Sequence, residues 1–156
     1  EIYSSLASTI KNKLGSNLLR IDHIGSTAVP GLAAKPVIDI DLTVADATDE
    51  KTYVLALESL GYKLIVREPR FHGHRLFHYD NPRVNLHVFT QDTPETIRHV
   101  LFRDWLRQSK KDCQLYAEVK LDAIKGCSLD IQQYHENKSK VVREIYQKIF
   151  KHLGYI

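Results

Sequence analysis

Residues 37–44 read Val-Ile-Asp-Ile-Asp-Leu-Thr-Val, and the alternation of this octet decides the fold. Ile38, Ile40, Leu42 and Val44 fall on one side and Val37, Asp39, Asp41 and Thr43 on the other, as the two-residue repeat of a strand requires. Four large aliphatic residues on one side make this a core strand. Asp39 and Asp41 then point the same way, with Cα atoms roughly 6.5–7 Å apart by strand geometry, close enough to share a cation. Buried carboxylates need basic partners or a metal ion. A solvated acidic face of a one-sided antiparallel sheet accounts for the same pattern.

Upstream, 18–24 is an apolar-rich segment expected to form a strand, and it runs into the small polar turn Gly25-Ser26-Thr27. Such a turn presents backbone N–H groups and a hydroxyl that suit phosphate oxygens, although alone it is more often a plain turn. Followed by paired aspartates, it supplies the second half of a nucleoside-triphosphate site. Donors at Gly25 and Ser26 hold the polyphosphate, and Asp39 and Asp41 hold Mg²⁺ or Mn²⁺ bridging its oxygens.

Further out, Ile2, Leu6, Ile10 and Leu14 mark an amphipathic helix stopped by Gly15. Val54, Leu57 and Leu60 mark another, capped by Asp46 or Thr48 and ended by Gly61. Strands are expected at 64–66, 75–79 and 84–89, the last two joined by Asp80-Asn81-Pro82 as a hairpin. Thr93-Pro94-Glu95 is a helix start, and 93–156 reads as mainly helical. The order predicts an α+β fold, a mixed sheet covered by helices, organised as a single domain over 1–156.

Composition bounds the function. The chain has 156 residues, 43% hydrophobic and 26% charged, ordinary values for a soluble globular domain. No apolar run approaches the roughly 18 residues of a membrane span. Cys113 and Cys127 lie in no CxxC pair and beside no histidine, which argues against a disulfide framework or structural zinc. A reducing, cytoplasmic setting without a membrane is therefore expected. The chain starts at Glu1 and has no methionine, so it is expected to be a segment lacking native N-terminal residues. A net charge of +3 is too mild for a nucleic-acid stripe. It is unevenly spread, with 12 basic against 8 acidic residues from Thr93 onward and 10 against 11 before it. The later half offers a cationic wall to a phosphate.

The run Ile21-Asp22-His23-Ile24-Gly25-Ser26-Thr27-Ala28-Val29-Pro30-Gly31-Leu32-Ala33-Ala34-Lys35-Pro36-Val37-Ile38-Asp39-Ile40-Asp41 resembles the signature of the GrpB-like family of the nucleotidyltransferase superfamily. The similarity extends through Leu86-His87-Val88, residues 102–107, Tyr116 with Lys120, and Lys138 with Val142-Arg143-Glu144-Ile145. It implies a nucleotidyltransferase-like sheet with Gly-Ser and paired acidic residues at its active edge. Superfamily enzymes normally draw a third carboxylate from a later strand, and the matching segment RVNLHVF has none. His87 takes that place as third ligand or general base, with a structural histidine as the alternative. Where the family shows His-x-His, this chain carries Asn85. The match also raises Lys138 and Arg143 above the other basic residues Arg103, Arg107 and Lys120 as phosphate contacts.

Residues 70–78, Arg-Phe-His-Gly-His-Arg-Leu-Phe-His, gather three histidines and two arginines around a glycine. Arginines beside histidines repel a cation and suit an anion, so Arg75 and His74 are expected to face substrate or phosphate, with a His-x-His metal site and an exposed polar hairpin as the alternatives. Trp105 is expected in the core. The sequence thus predicts metal-dependent nucleotidyl transfer from an NTP, ATP foremost, to a small-molecule acceptor. A catalytically inactive nucleotide- or phosphate-binding module is the alternative.

Overall fold

A computed structural model describes residues 1–32, 35–125 and 131–156. Cys127 and Ala33-Ala34 of the signature run lie outside the described residues. In chain order the elements are α1 (Ile2–Leu14), β1 (Arg20–Ile24), β2 (Val37–Val44), α2 (Val54–Ser59), β3 (Lys63–Glu68), β4 (His74–Asp80), β5 (Arg83–Thr90), α3 (Pro94–Gln108), α4 (Lys110–Lys125) and α5 (Ile131–His152). The fold is the expected α+β one, and β2 is the octet itself. No helix among the described residues is long and apolar enough to cross a membrane.

The five strands form one sheet in the order β1-β2-β5-β4-β3. β2 and β5 run parallel, and the other neighbours are antiparallel. The sheet is therefore mixed, and β2 lies inside it, which places the two aspartates away from a sheet edge. The hairpin between β4 and β5 turns through Asn81 and Pro82, with a cis peptide bond between them.

One face of the sheet makes the main core. Ile38, Ile40, Leu42 and Val44 of β2 join Val84, Leu86 and Val88 of β5, Phe77 of β4, Ile10 and Leu14 of α1, and Leu57 of α2. The alternation dictates this. Every second residue of β2 and β5 is aliphatic, so a pleated strand can bury that side only against the apolar stripes of the two helices. The helix start predicted by Asp46 or Thr48 differs in detail. A 3-10 turn over Glu50–Thr52 precedes α2, whose N-terminus has no side-chain cap. Asp46 instead accepts from the N–H and hydroxyl of Thr48 at 2.9 and 2.6 Å, closing a local turn.

The chain divides into two compact units, residues 1–28 with 34–100, and residues 29–33 with 101–156. Where a single domain over 1–156 is expected, the contacts form two clusters, because the helical half builds a core of its own. There Leu106, Tyr116, Val141, Ile145 and Ile149 bury against Val29 and Leu32. Trp105 packs against this second core, as expected, and its indole N–H donates to Asp112 at 2.8 Å.

Leu42 has no exposed surface, so Leu42→Ala leaves a cavity beneath the acidic strand. A loss of about 2–5 kcal/mol is expected, read as a lower urea midpoint at unchanged slope.

Candidate functional site

The opposite face of the sheet carries the polar residues, and strand pairing fixes which of them meet. Asp22 of β1 lies opposite Asp41, while Asn85 and His87 of β5 are in register with Asp39 and Asp41. Cross-strand partners project from the same face. The four aliphatic residues on one side of β2 therefore bring Asp22, Asp39, Asp41, Asn85 and His87 together on the other.

Asp39 is the more open of the paired aspartates, with its side chain 30% exposed. Its Oδ1 accepts from the Asn85 amide at 3.2 Å. Gly25, at the end of β1, has φ +74 and packs against this carboxylate. A Cβ there would lie 2.8 Å from Asp39 Oδ2, so both the left-handed backbone and the close approach call for glycine. The turn continues as a 3-10 turn over Ser26–Ala28, which the Ala28 N–H closes onto the Gly25 carbonyl at 3.1 Å. Gly25 and Asp39 thus meet.

Asp41 is fully buried, and its compensation comes from α3. His99 Nδ1 lies 2.7 Å from Asp41 Oδ2, and the Asp41 side chain has no exposed surface. Burial, aided by the charge of Asp22, raises the Asp41 carboxyl above its ordinary range, against the His99 contact that lowers it. Burial also works against the His99 imidazolium, but hydrogen bonding and the charge of Asp41 outweigh it and raise the pKa. The pair therefore holds its shared proton firmly. Asp41 Oδ1 is buried with no hydrogen-bond partner among the described residues. An orphaned carboxylate oxygen of this kind is costly and points to a missing donor or cation.

His87 heads a second chain of contacts. Its Nδ1 is 2.9 Å from His74 Nε2, and His74 Nδ1 is 2.7 Å from Glu68 Oε1. His87 Nε2 faces Asp39 Oδ1 at 4.0 Å, too long for a hydrogen bond. Burial first, then the neighbouring His74, His99 and His78, push the His87 imidazole down to about 4, so it is neutral at pH 7.

The remaining expected residues are placed as follows. His74 is buried and engaged by Glu68 and His87, which gives it a place in the site but little surface for substrate. Arg75 is in register with the core residue Val88, so it lies on the opposite face of the sheet. Its guanidinium is buried against the Gly73 carbonyl at 2.6 Å and Glu50 at 3.4 Å, which takes it away from the aspartates. The alternation that puts His74 on one face sends Arg75 to the other. Lys138, half-buried, and Arg143, exposed, stand on α5 in the second unit. Reading the sequence missed His99, Glu68 and Asp22 as contributors. His99 is 58 residues from its partner, and no local spacing signals the pair. Asp22 stands on the same face, on β1 rather than on a later strand. Arg20 holds it at 2.6 and 3.2 Å.

Asp39 and the orphaned Asp41 oxygen are hard donors that fit Mg²⁺, which is commonly held by one or two carboxylates with phosphate oxygens and water. Among the described residues, no group of three or more His, Cys, Asp or Glu side chains could hold a metal ion. The arrangement therefore fits an ion completed by substrate and does not fit a cage made by protein alone.

A family profile described as GrpB protein matches residues 1–148. A UPF0157 protein of Halalkalibacterium halodurans is 43% identical over 148 residues, covering 95% of this chain and 76% of that relative. A dephospho-CoA kinase of Mycolicibacterium paratuberculosis is 29% identical over 169 residues, covering 92% of this chain and 42% of the kinase. The crystal structure of GrpB from Enterococcus faecalis superimposes with a TM-score of 0.81 at 28% identity, covering 97% of this chain and 92% of that one.

Gly25→Ala forces a side chain into the Asp39 carboxylate at positive φ, so a stability loss of about 1–3 kcal/mol is expected in thermal or urea unfolding. The histidine chain predicts a pH effect. Because the folded pKa of His87 is depressed to about 4, the unfolded chain binds a proton that the folded one refuses between about pH 6.5 and 4. Stability is fully present above that window and falls through it, by about 1 kcal/mol per pH unit. His87→Gln flattens this part of the pH profile of urea unfolding.

Proposed function

This chain belongs to the GrpB family, whose nucleotidyltransferase-like sheet it carries, and on that premise we propose that it transfers a nucleotidyl group from an NTP, ATP foremost, to a small-molecule acceptor. The observation that carries this reading is the contact of Gly25 with Asp39, which sets a phosphate-type turn directly against a partly exposed carboxylate. In this reading the backbone N–H groups at Gly25 and Ser26 and the Ser26 hydroxyl bind the β and γ phosphates. Asp39 and Asp41 would hold Mg²⁺, which when bound supplies charge stabilisation to the departing pyrophosphate. Asn85 orients Asp39 and His99 orients Asp41. An acceptor oxygen attacks the α phosphorus in line as the bond to pyrophosphate breaks, and His87 takes the acceptor proton. No covalent enzyme intermediate is needed. The cytoplasm is proposed as the setting. That a similar stretch lies within proteins named dephospho-CoA kinase fits a nucleotide-type ligand.

A second reading, a nucleotide- or phosphate-binding module without turnover, has its own support. Asn85 rather than a carboxylate faces Asp39, and Asp22 is committed to Arg20. Calorimetry with ATP and Mg²⁺ alongside a pyrophosphate-release assay separates the two. Binding without release supports the module, and Mg²⁺-dependent release supports the enzyme.

With α-labelled ATP and a metabolite pool as acceptor, the wild type is expected to transfer label, and Asp39→Asn and Asp41→Asn to lose about 10²-fold or more. Undiminished transfer in both variants overturns the assignment.

A further inference from the structure

Across the site face, four adjacent strands each contribute one polar side chain to a single row. It runs Glu68 on β3, His74 on β4, His87 on β5 and Asp39 on β2. The row starts at a side chain 47% exposed, passes through one only 8% exposed, and ends beside the carboxylate that packs on Gly25.

With Glu68 ionised and His74 neutral, hydrogen-bonding chemistry assigns each proton of the row. An ionised carboxylate can only accept, so His74 Nδ1 carries the hydrogen directed at Glu68. In a neutral His74 the other nitrogen, Nε2, is then an acceptor. His87 Nδ1, 2.9 Å away, must donate to it. A neutral His87 with its hydrogen on Nδ1 has its lone pair on Nε2, the atom turned toward Asp39. Ring geometry agrees. The two imidazoles are nearly coplanar at 22° with centroids 5.2 Å apart, the arrangement of an in-plane N–H···N bond. Phe89 lies against His74 at 4.7 Å and 28°, holding that ring in place.

We infer that Glu68 and His74 are positioning residues that hold His87 in its Nδ1–H form, aim its Nε2 lone pair into the site, and carry away the proton it accepts. The inference rests on the nucleotidyl-transfer reading only for the source of that proton. The acceptor O–H bond breaks and its electron pair forms the new O–P bond. The P–O bond to pyrophosphate breaks, and its pair leaves with pyrophosphate. The released proton forms His87 Nε2–H, and the Nδ1–H of the same ring passes to His74 Nε2. His87 ends neutral, and the positive charge rests on His74 beside the Glu68 carboxylate. The row thus places the charge on His74, whose Nδ1 lies 2.7 Å from the Glu68 carboxylate, and not on His87.

The test uses the full chain with ¹⁵N-labelled histidine, whose ring-nitrogen shifts in NMR distinguish protonated from unprotonated nitrogens without any nucleotide. Wild type is expected to show His87 protonated at Nδ1 and bare at Nε2. His74→Phe keeps a ring against Phe89 but removes the acceptor, so that preference is lost. Glu68→Gln still accepts from His74 Nδ1, so the His87 form is kept. Its neutral amide does not stabilise the imidazolium, so kcat for transfer falls about 10-fold or more with KM unchanged, and His74→Phe loses about 10²-fold. A wild-type His87 protonated at Nε2, or a His74→Phe protein with the His87 form intact, overturns the arrangement. Glu68→Gln turning over at the wild-type rate overturns the relay. If the wild type transfers nothing, it is the nucleotidyl-transfer reading that fails, and the NMR outcome still decides the arrangement.

Discussion

A pleated strand cannot bury one side without committing the other, and β2 is where this constraint governs the molecule. Ile40 and Leu42 have no exposed surface, and their burial against α1 and α2 pins the register of the strand. Slipping by one residue would turn the aspartates into that core and the aliphatic side chains out of it. The positions of Asp39 and Asp41 on the far face are thus a consequence of core packing. The hydrophobic contribution that stabilises the first unit is the same one that aims its acidic pair.

The two carboxylates receive different treatment, although they are neighbours on one strand. Asp39 is partly open, steadied by Asn85 and pressed on by Gly25. Asp41 is sealed and shares a proton with His99, with one oxygen left without a partner among the described residues. Burying a carboxylate raises its pKa, and the histidine supplies the compensation that makes burial tolerable. On the proposed metal-binding reading, that proton would compete with the cation for Asp41. Asp39 is accordingly the more accessible of the two carboxylates.

Histidines recur around this face because a ring nitrogen can serve as donor or acceptor as the neighbour demands. His99 faces a carboxylate, while His74 and His87 face each other with Glu68 behind them. The burial that keeps His87 neutral also preserves its lone pair. Arg75 shows the opposite outcome. A permanently charged guanidinium one residue from His74 falls on the core side, where Glu50 and the Gly73 carbonyl receive it.

By itself the sequence determined the alternating octet, the α+β order, the Gly25-Ser26 turn and the shared face of Asp39 and Asp41, because all of these follow from local periodicity and turn chemistry. It also carried the family resemblance. Strand limits lay within two residues of the observed ones for the segments at 18–24, 64–66, 75–79 and 84–89, since hydrophobic alternation marks strand interiors better than ends. Only the tertiary structure decided the strand order, which sets His87 beside Asp41, the side of the sheet on which Arg75 falls, and the partners His99 and Glu68. Those depend on contacts between residues far apart in the chain, as with Asp41 and His99. No local pattern encodes such a contact, because the free energy that selects it belongs to the packed sheet and helices together.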